Sequence, residues 1–259
     1  MPGNRKYNSG KSSTFKKLGN GHKAFDITYE DGTGASGVFV KDTVTIGGIK
    51  VLHQTFGSAN KVDQDRSNVY DGILGLTIPI TSDDKSKSVL YNLYQQKKIK
   101  QPIFSFYLAA DPSATIGGEF IIGGIDKSKY IGRITYFRAS VKDMYQATFT
   151  SITVNNHQIS DSNQQFYLDT GTAFIIGPPK QIRKLHQQIG LTYNDKLDAY
   201  VVNCDDKLKL PSVVFTIANQ PFPLTPEQYI YTNTDDNENP YCATTFESGR
   251  SYGANGQNL

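Results

Sequence analysis

Apolar and polar residues alternate with period two through much of this chain. Val44 and Ile46 alternate with Thr43 and Thr45, Gly47-Gly48 turn the chain, and Ile49 and Val51 alternate back. That is the pattern of a hairpin with a two-residue loop. Phe120-Ile121-Ile122, Ile134 with Tyr136, and Ile152 with Val154 extend the strand pattern. Two stretches follow the helical period instead. From Ser88 to Ile99, the residues Val89, Leu90, Leu93 and Tyr94 share one face, with Lys97 and Lys98 in the last turn, where cations suit the helix dipole. From Pro178 to Ile189, the residues Ile182, Leu185 and Ile189 share another, opened by proline and closed by Gly190. The expected class is mostly β with a few short helices.

A faint internal repeat accompanies this pattern. Val44-Thr45-Ile46-Gly47-Gly48 resembles Phe215-Thr216-Ile217-Ala218-Asn219, a strand entering a small-residue turn, at an offset of about 171 residues. Two related lobes are one reading; strand-turn-strand recurring in any β protein is the other.

Composition narrows the class of function. The chain has 259 residues, a net charge of +3, 37% hydrophobic and 20% charged residues. That is one large domain or two lobes, with enough apolar material for a core and too few charges for disorder. A charge of +3 over this length is no nucleic-acid footprint, and no apolar run is long enough for a membrane span. The first residues, Met1-Pro2-Gly3-Asn4-Arg5-Lys6-Tyr7, contain no apolar signal-peptide core. Two cysteines, Cys204 and Cys242, exclude a disulfide-rich scaffold and a four-cysteine zinc site. They are either a bridge in the second half of the chain or two buried thiols.

The chemistry is concentrated in Phe166-Tyr167-Leu168-Asp169-Thr170-Gly171-Thr172-Ala173-Phe174-Ile175-Ile176-Gly177-Pro178. An Asp between two apolar runs is costly to bury unless N–H groups or hydroxyls solvate its charge. Gly171 lets backbone approach the carboxylate, and Thr170 and Thr172 offer hydroxyls. This is the setting of a tuned carboxylate rather than of a surface turn. His22, His53, His157 and His186 show no ligand spacing; His186 falls on the polar side of its helix, and all four are expected at the surface.

Here the sequence resembles the pepsin-like eukaryotic aspartic peptidases, and most closely their fungal secreted members. Phe25 to Gly37 is similar to the family's flap hairpin, with Tyr29 in the place of the flap tyrosine and Glu30 where many members carry Gly. Tyr70-Asp71-Gly72-Ile73-Leu74-Gly75-Leu76 resembles the first-lobe apolar-apolar-Gly element, expected as a buried strand with Ile73 beside the cleft. Pro102–Leu108 and Gly118–Asp126 resemble the segments that approach the lobe junction, and Asp169-Thr170-Gly171-Thr172 resembles the second-lobe catalytic motif.

The resemblance implies a bilobal acid-protease fold, with an N-terminal lobe over residues 1–127 and a C-terminal lobe over 128–259. It implies an endopeptidase that cuts peptide or protein substrates at acid pH, with Asp169 catalytic. Tyr29, Glu30, Asp31, Ile73, Gly171 and Thr172 are implied to bind substrate, and Cys204 and Cys242 to form a disulfide. A secreted or vacuolar monomer follows, with no cofactor and no metal, and with no nucleic-acid or membrane partner. The alternative is a non-catalytic member that binds a peptide or protein on the same fold.

One departure bears on chemistry. The reaction needs two carboxylates, one as base and one as acid, and this chain holds one Asp-Thr-Gly. The first lobe keeps its apolar-Gly element without the Asp motif, and the second keeps the Asp motif without the later element. Complementary losses at the two ends are expected of an internal stretch of a longer enzyme, itself inactive and poorly folded alone.

Overall fold

The computed structural model describes residues 5–18, 24–29, 33–63, 70–78, 87–110, 114–141, 144–160 and 162–249. The chain separates into two units, Met1–Ile131 and Gly132–Leu259.

In the first unit β1 (Lys16–Lys17), β2 (Ala24–Thr28), β3 (Gly34–Ile46) and β4 (Ile49–Val62) form one antiparallel sheet organised on β3. The β3–β4 turn is Gly47-Gly48, both at positive φ, as a two-residue hairpin loop requires. Phe25 of β2 lies over the glycines of the two long strands. A Cβ at Gly57 would meet the Phe25 ring at 2.8 Å, and one at Gly37 would collide with the Ser58 carbonyl.

Helix α1 (Val89–Gln95) is N-capped by the Ser88 hydroxyl, which accepts from the Tyr91 N–H, and it buries Val89, Leu90 and Leu93. It ends a turn before Ile99, so Lys97 and Lys98 lie beyond it. The Gln96 side chain instead grips β4, accepting from the Leu52 N–H and donating to the Leu52 carbonyl, while Lys97 turns left-handed. Tyr94, expected on the apolar face, is exposed. β5 (Phe104–Leu108) and β6 (Gly118–Ile122) make a separate antiparallel pair.

A buried carboxylate ties the start of the chain to this sheet. Asp42 accepts hydrogen bonds from the Tyr7 hydroxyl (2.6 Å), the Ser12 hydroxyl (2.9 Å), the Thr14 hydroxyl and the Thr43 N–H (2.7 Å). The Thr14 and Tyr7 hydroxyls contribute most to holding the Asp42 carboxyl well below the usual carboxylate range. The Tyr7 hydroxyl is pushed up to about 12 by burial and by Asp42.

In the second unit β7 (Gln146–Val154) pairs with β8 (His157–Gln158) and β9 (Gln164–Tyr167). Next come β10 (Ile175–Gly177), α2 (Pro179–Ile189), β11 (Thr192–Asn194) and β12 (Ala199–Val202). They are followed by β13 (Val213–Ile217), β14 (Gln220–Leu224), α3 (Pro226–Tyr229), β15 (Ile230–Thr234), β16 (Pro240–Thr244) and β17 (Phe246–Ser248). β14-β13-β7-β8 is one sheet, β11-β12-β16-β15 another, and β10 pairs in parallel with β17. The β13–β14 turn, Ala218-Asn219, has both residues at positive φ, like Gly47-Gly48.

Cys204 and Cys242 are joined by a disulfide across 38 residues. Helix α2 runs from proline to a left-handed Gly190 cap, as its pattern predicts, and it buries Ile182, Leu185 and Ile189. The strand expected at Ile134 and Tyr136 does not form: residues 133–139 are irregular and Tyr136 is 75% exposed. Alternation makes a strand only where a neighbouring edge completes the ladder, and this stretch joins none of the ladders among the described residues.

Of the histidines, His53 and His157 are exposed, and His22 lies outside the described residues. His186 overturns its expectation, since it is 1% exposed and stacked on Tyr200 at 3.7 Å between ring centroids. The polar side of α2 is covered there by β12, so helical position alone does not set exposure.

Candidate active site

The site grows out of the end of β9. The Leu168 N–H donates to the Tyr145 carbonyl at 3.0 Å, and Gln146 Nε2 donates to the Tyr167 hydroxyl at 2.9 Å. These contacts hold the strand that delivers Asp169. The sequence gives no sign of either, since one is backbone and the other is a single side-chain bond.

The chain then turns tightly, and both carboxylate oxygens of Asp169 are engaged from within the turn. The Gly171 N–H donates to Oδ1 at 2.8 Å and the Thr172 hydroxyl to Oδ2 at 2.7 Å. A Cβ at Gly171 would sit 3.1 Å from Oδ1, a tight fit, so glycine leaves the amide free to approach. This is the expected solvation of charge by N–H and hydroxyl, with Thr172 and not Thr170 as the donor. The expected burial is not seen. Asp169 is exposed, as are its neighbours Leu168 and Ile176. The turn projects from the end of its strand, and the apolar runs beside it are themselves open.

Behind the turn, β10 is fixed on two sides. The Ile175 N–H donates to the Thr245 carbonyl at 2.9 Å, and Gly177 packs on Ile182 of α2, where a Cβ would come within 3.1 Å.

In the first unit Tyr29 stands at the end of the β2–β3 hairpin, half-buried, its N–H donating to the Thr33 carbonyl at 2.7 Å. Glu30 and Asp31 lie outside the described residues. The stretch Asp71–Leu76, expected as a buried strand, is neither regular nor buried; Ile73 is 57% exposed. It is held by a side-chain contact in place of a ladder, with Asp71 Oδ1 accepting from the Arg5 N–H at 2.8 Å. No cluster of three or more His, Cys, Asp or Glu able to hold a metal occurs among the described residues. No helix among them is long and apolar enough to cross a membrane.

A β-rich chain with a flap-like hairpin and a hydrogen-bonded Asp-Thr-Gly turn defines a protein of the acid-protease class. The family model described as eukaryotic aspartyl protease matches residues 2–258, and the chain belongs to that family. It is 38% identical over 230 residues to cathepsin D of Gallus gallus, covering 87% of this chain and 56% of that protein. It is 34% identical over 238 residues to cathepsin D of Homo sapiens, covering 86% and 57%. It is 35% identical over 247 residues to cathepsin E of Aquarana catesbeiana, covering 93% and 59%. The chain thus spans little more than half the length of these relatives.

Proposed function

We propose that the protein is an aspartic endopeptidase in which Asp169 supplies one of two catalytic carboxylates. The observation that carries this is the Asp169 turn, in which the Gly171 N–H and the Thr172 hydroxyl engage the two carboxylate oxygens. In the reaction one ionised carboxylate removes a proton from water, whose oxygen attacks the peptide carbonyl. The other carboxyl, protonated, donates to the carbonyl oxygen, and collapse expels the amine with a proton returned to its nitrogen. The pair keeps one shared proton, which calls for acid pH. Tyr29 and Ile73, with Glu30, Asp31, Gly171 and Thr172, are the proposed contacts to a peptide or protein substrate. A disulfide supports an oxidising setting, consistent with a secreted or vacuolar protein.

The test is digestion of denatured haemoglobin at acid pH by the full-length protein, with and without a statine-type inhibitor. Inhibitor-sensitive cleavage that Asp169→Asn abolishes is expected. The 259 residues expressed alone, with their single Asp-Thr-Gly, are expected to give no such cleavage. That single motif is also what favours the rival reading, peptide binding without hydrolysis. Inhibitor binding by the full-length protein without turnover would establish the rival.

A further inference from the structure

The second unit carries an ionisable side chain that the peptidase reading does not use. His186 is 1% exposed, and its ring lies flat against Tyr200 of β12 at 3.7 Å and 28°. Neither Nδ1 nor Nε2 has a well-formed hydrogen bond, although the Phe246 backbone of β17 lies beside the ring. Its neighbours on α2, Leu185 and Ile189, belong to the main core of the unit. A neutral imidazole tolerates such a site at the cost of its unmet polar atoms. An imidazolium there has two N–H donors and a charge, with only the Phe246 backbone beside the ring to receive one of them.

The surrounding groups do not compensate. Tyr200 offers a ring face, and Tyr193 of β11 packs behind it at 5.1 Å with its hydroxyl donated to Asp198. Glu247 of β17 has its carboxyl raised by burial and then by Asp198, so acid pH drives it neutral. β7 and β10 bring no ionisable side chain, and α2 itself adds only cations, Lys180, Arg183 and Lys184.

We propose that His186 is an acid-triggered release for α2: a proton on its ring drives the imidazole out from against Tyr200 and loosens the helix from β10 and β17. β10 leads directly out of the Asp169 turn and is held by β17, so release of α2 sets a lower pH limit on the anchoring of that turn. The proposal concerns the fold of the unit and stands whatever chemistry Asp169 performs.

The sign follows from burial, which pushes His186 down from the ordinary 6.5 to about 4. Between these values the unfolded state binds the proton and the folded state does not. Stability contributed by the neutral ring is therefore full above the ordinary value, falls as pH drops through this window, and is gone below about 4.

Hydrogen exchange measured by mass spectrometry on the intact protein tests this. Between about pH 5.5 and about pH 3.5, after correction for intrinsic rates, protection of 179–189 is expected to fall on the order of 10-fold. Protection of the β3–β4 hairpin is expected to hold. His186→Phe, which keeps a ring against Tyr200 and takes no proton, is expected to abolish the drop, and His186→Leu serves if the larger ring disturbs packing. In the unaltered protein, an imidazole NMR titration is expected to coincide with the loss of protection. A ring that titrates near its ordinary value with α2 still protected overturns the proposal, and so does an equal drop in folded variants.

Discussion

The Tyr7 hydroxyl sits 2.6 Å from Asp42 Oδ2 and donates to it across 35 residues of sequence. With Ser12, Thr14 and the Thr43 amide, it makes Asp42 a side-chain clasp that ties the start of the described chain to β3, beside the β1–β3 pairing. Because the folded carboxyl lies below the usual carboxylate range, its contribution is present above the unfolded pKa and fades only as pH falls through the folded one. The clasp therefore survives at mildly acid pH. Asp42→Asn is expected to lower the melting temperature by on the order of 5 °C, and to make residues 5–18 the first site of proteolysis at pH values where the unaltered protein resists. Equal melting curves for the two proteins would refute this.

Thr172 provides one of two donors to Asp169. A hydrogen bond to a charged group contributes about 1.5–3 kcal/mol, so Thr172→Val is expected to lower kcat by roughly 10- to 100-fold, with circular dichroism unchanged. Thr172→Ser keeps the hydroxyl and is expected to restore most of the rate. Steady-state kinetics on the full-length protein decides, and a Val variant with full kcat removes Thr172 from the mechanism.

The disulfide closes a loop of 38 residues within the second unit. The chain-entropy model gives such a loop about 4 kcal/mol. Reduction, or Cys204→Ser with Cys242→Ser, is expected to lower the denaturant midpoint by that equivalent, while the β3–β4 hairpin keeps its exchange protection.

Gly57 leaves room for the Phe25 ring. Gly57→Ala places a methyl inside van der Waals distance of that ring, and overpacking of this kind costs about 1–3 kcal/mol. The expected readout is faster exchange in β2 and in the hairpin that carries Tyr29, with little change in the second unit. A β2 as protected as before would show that the ring shifts freely.

The sequence made local structure legible where one segment sufficed to determine it. The Gly47-Gly48 hairpin, the start of α1 after Ser88, the course of α2 from proline to Gly190 and the Asp169 turn are all set by neighbours in the chain. It was silent where distant chain decides. Ile134 and Tyr136 alternate like a strand yet pair with no ladder among the described residues, and Asp71–Leu76 is apolar yet open. His186 sits on the polar side of its own helix and is nonetheless sealed by β12, which the helical period cannot foresee. Likewise nothing in the pattern marks Tyr145 and Gln146 as the residues that steady the strand before Asp169.

The parallel pairing of β10 with β17 has a consequence for the order of events in folding. Ile175 finds its partner Phe246 only after α2, both edges of the β11-β12-β16-β15 sheet and the β13–β14 hairpin have been traversed. Closing so long a loop is entropically unfavourable and kinetically late. Cys204 and Cys242 lie inside that loop, so oxidation shortens the path before the strands meet. The strand that leaves the Asp169 turn is thus among the last of the second unit to find its partner. In a nascent chain, β10 therefore waits for its parallel partner until nearly all of the second unit has emerged.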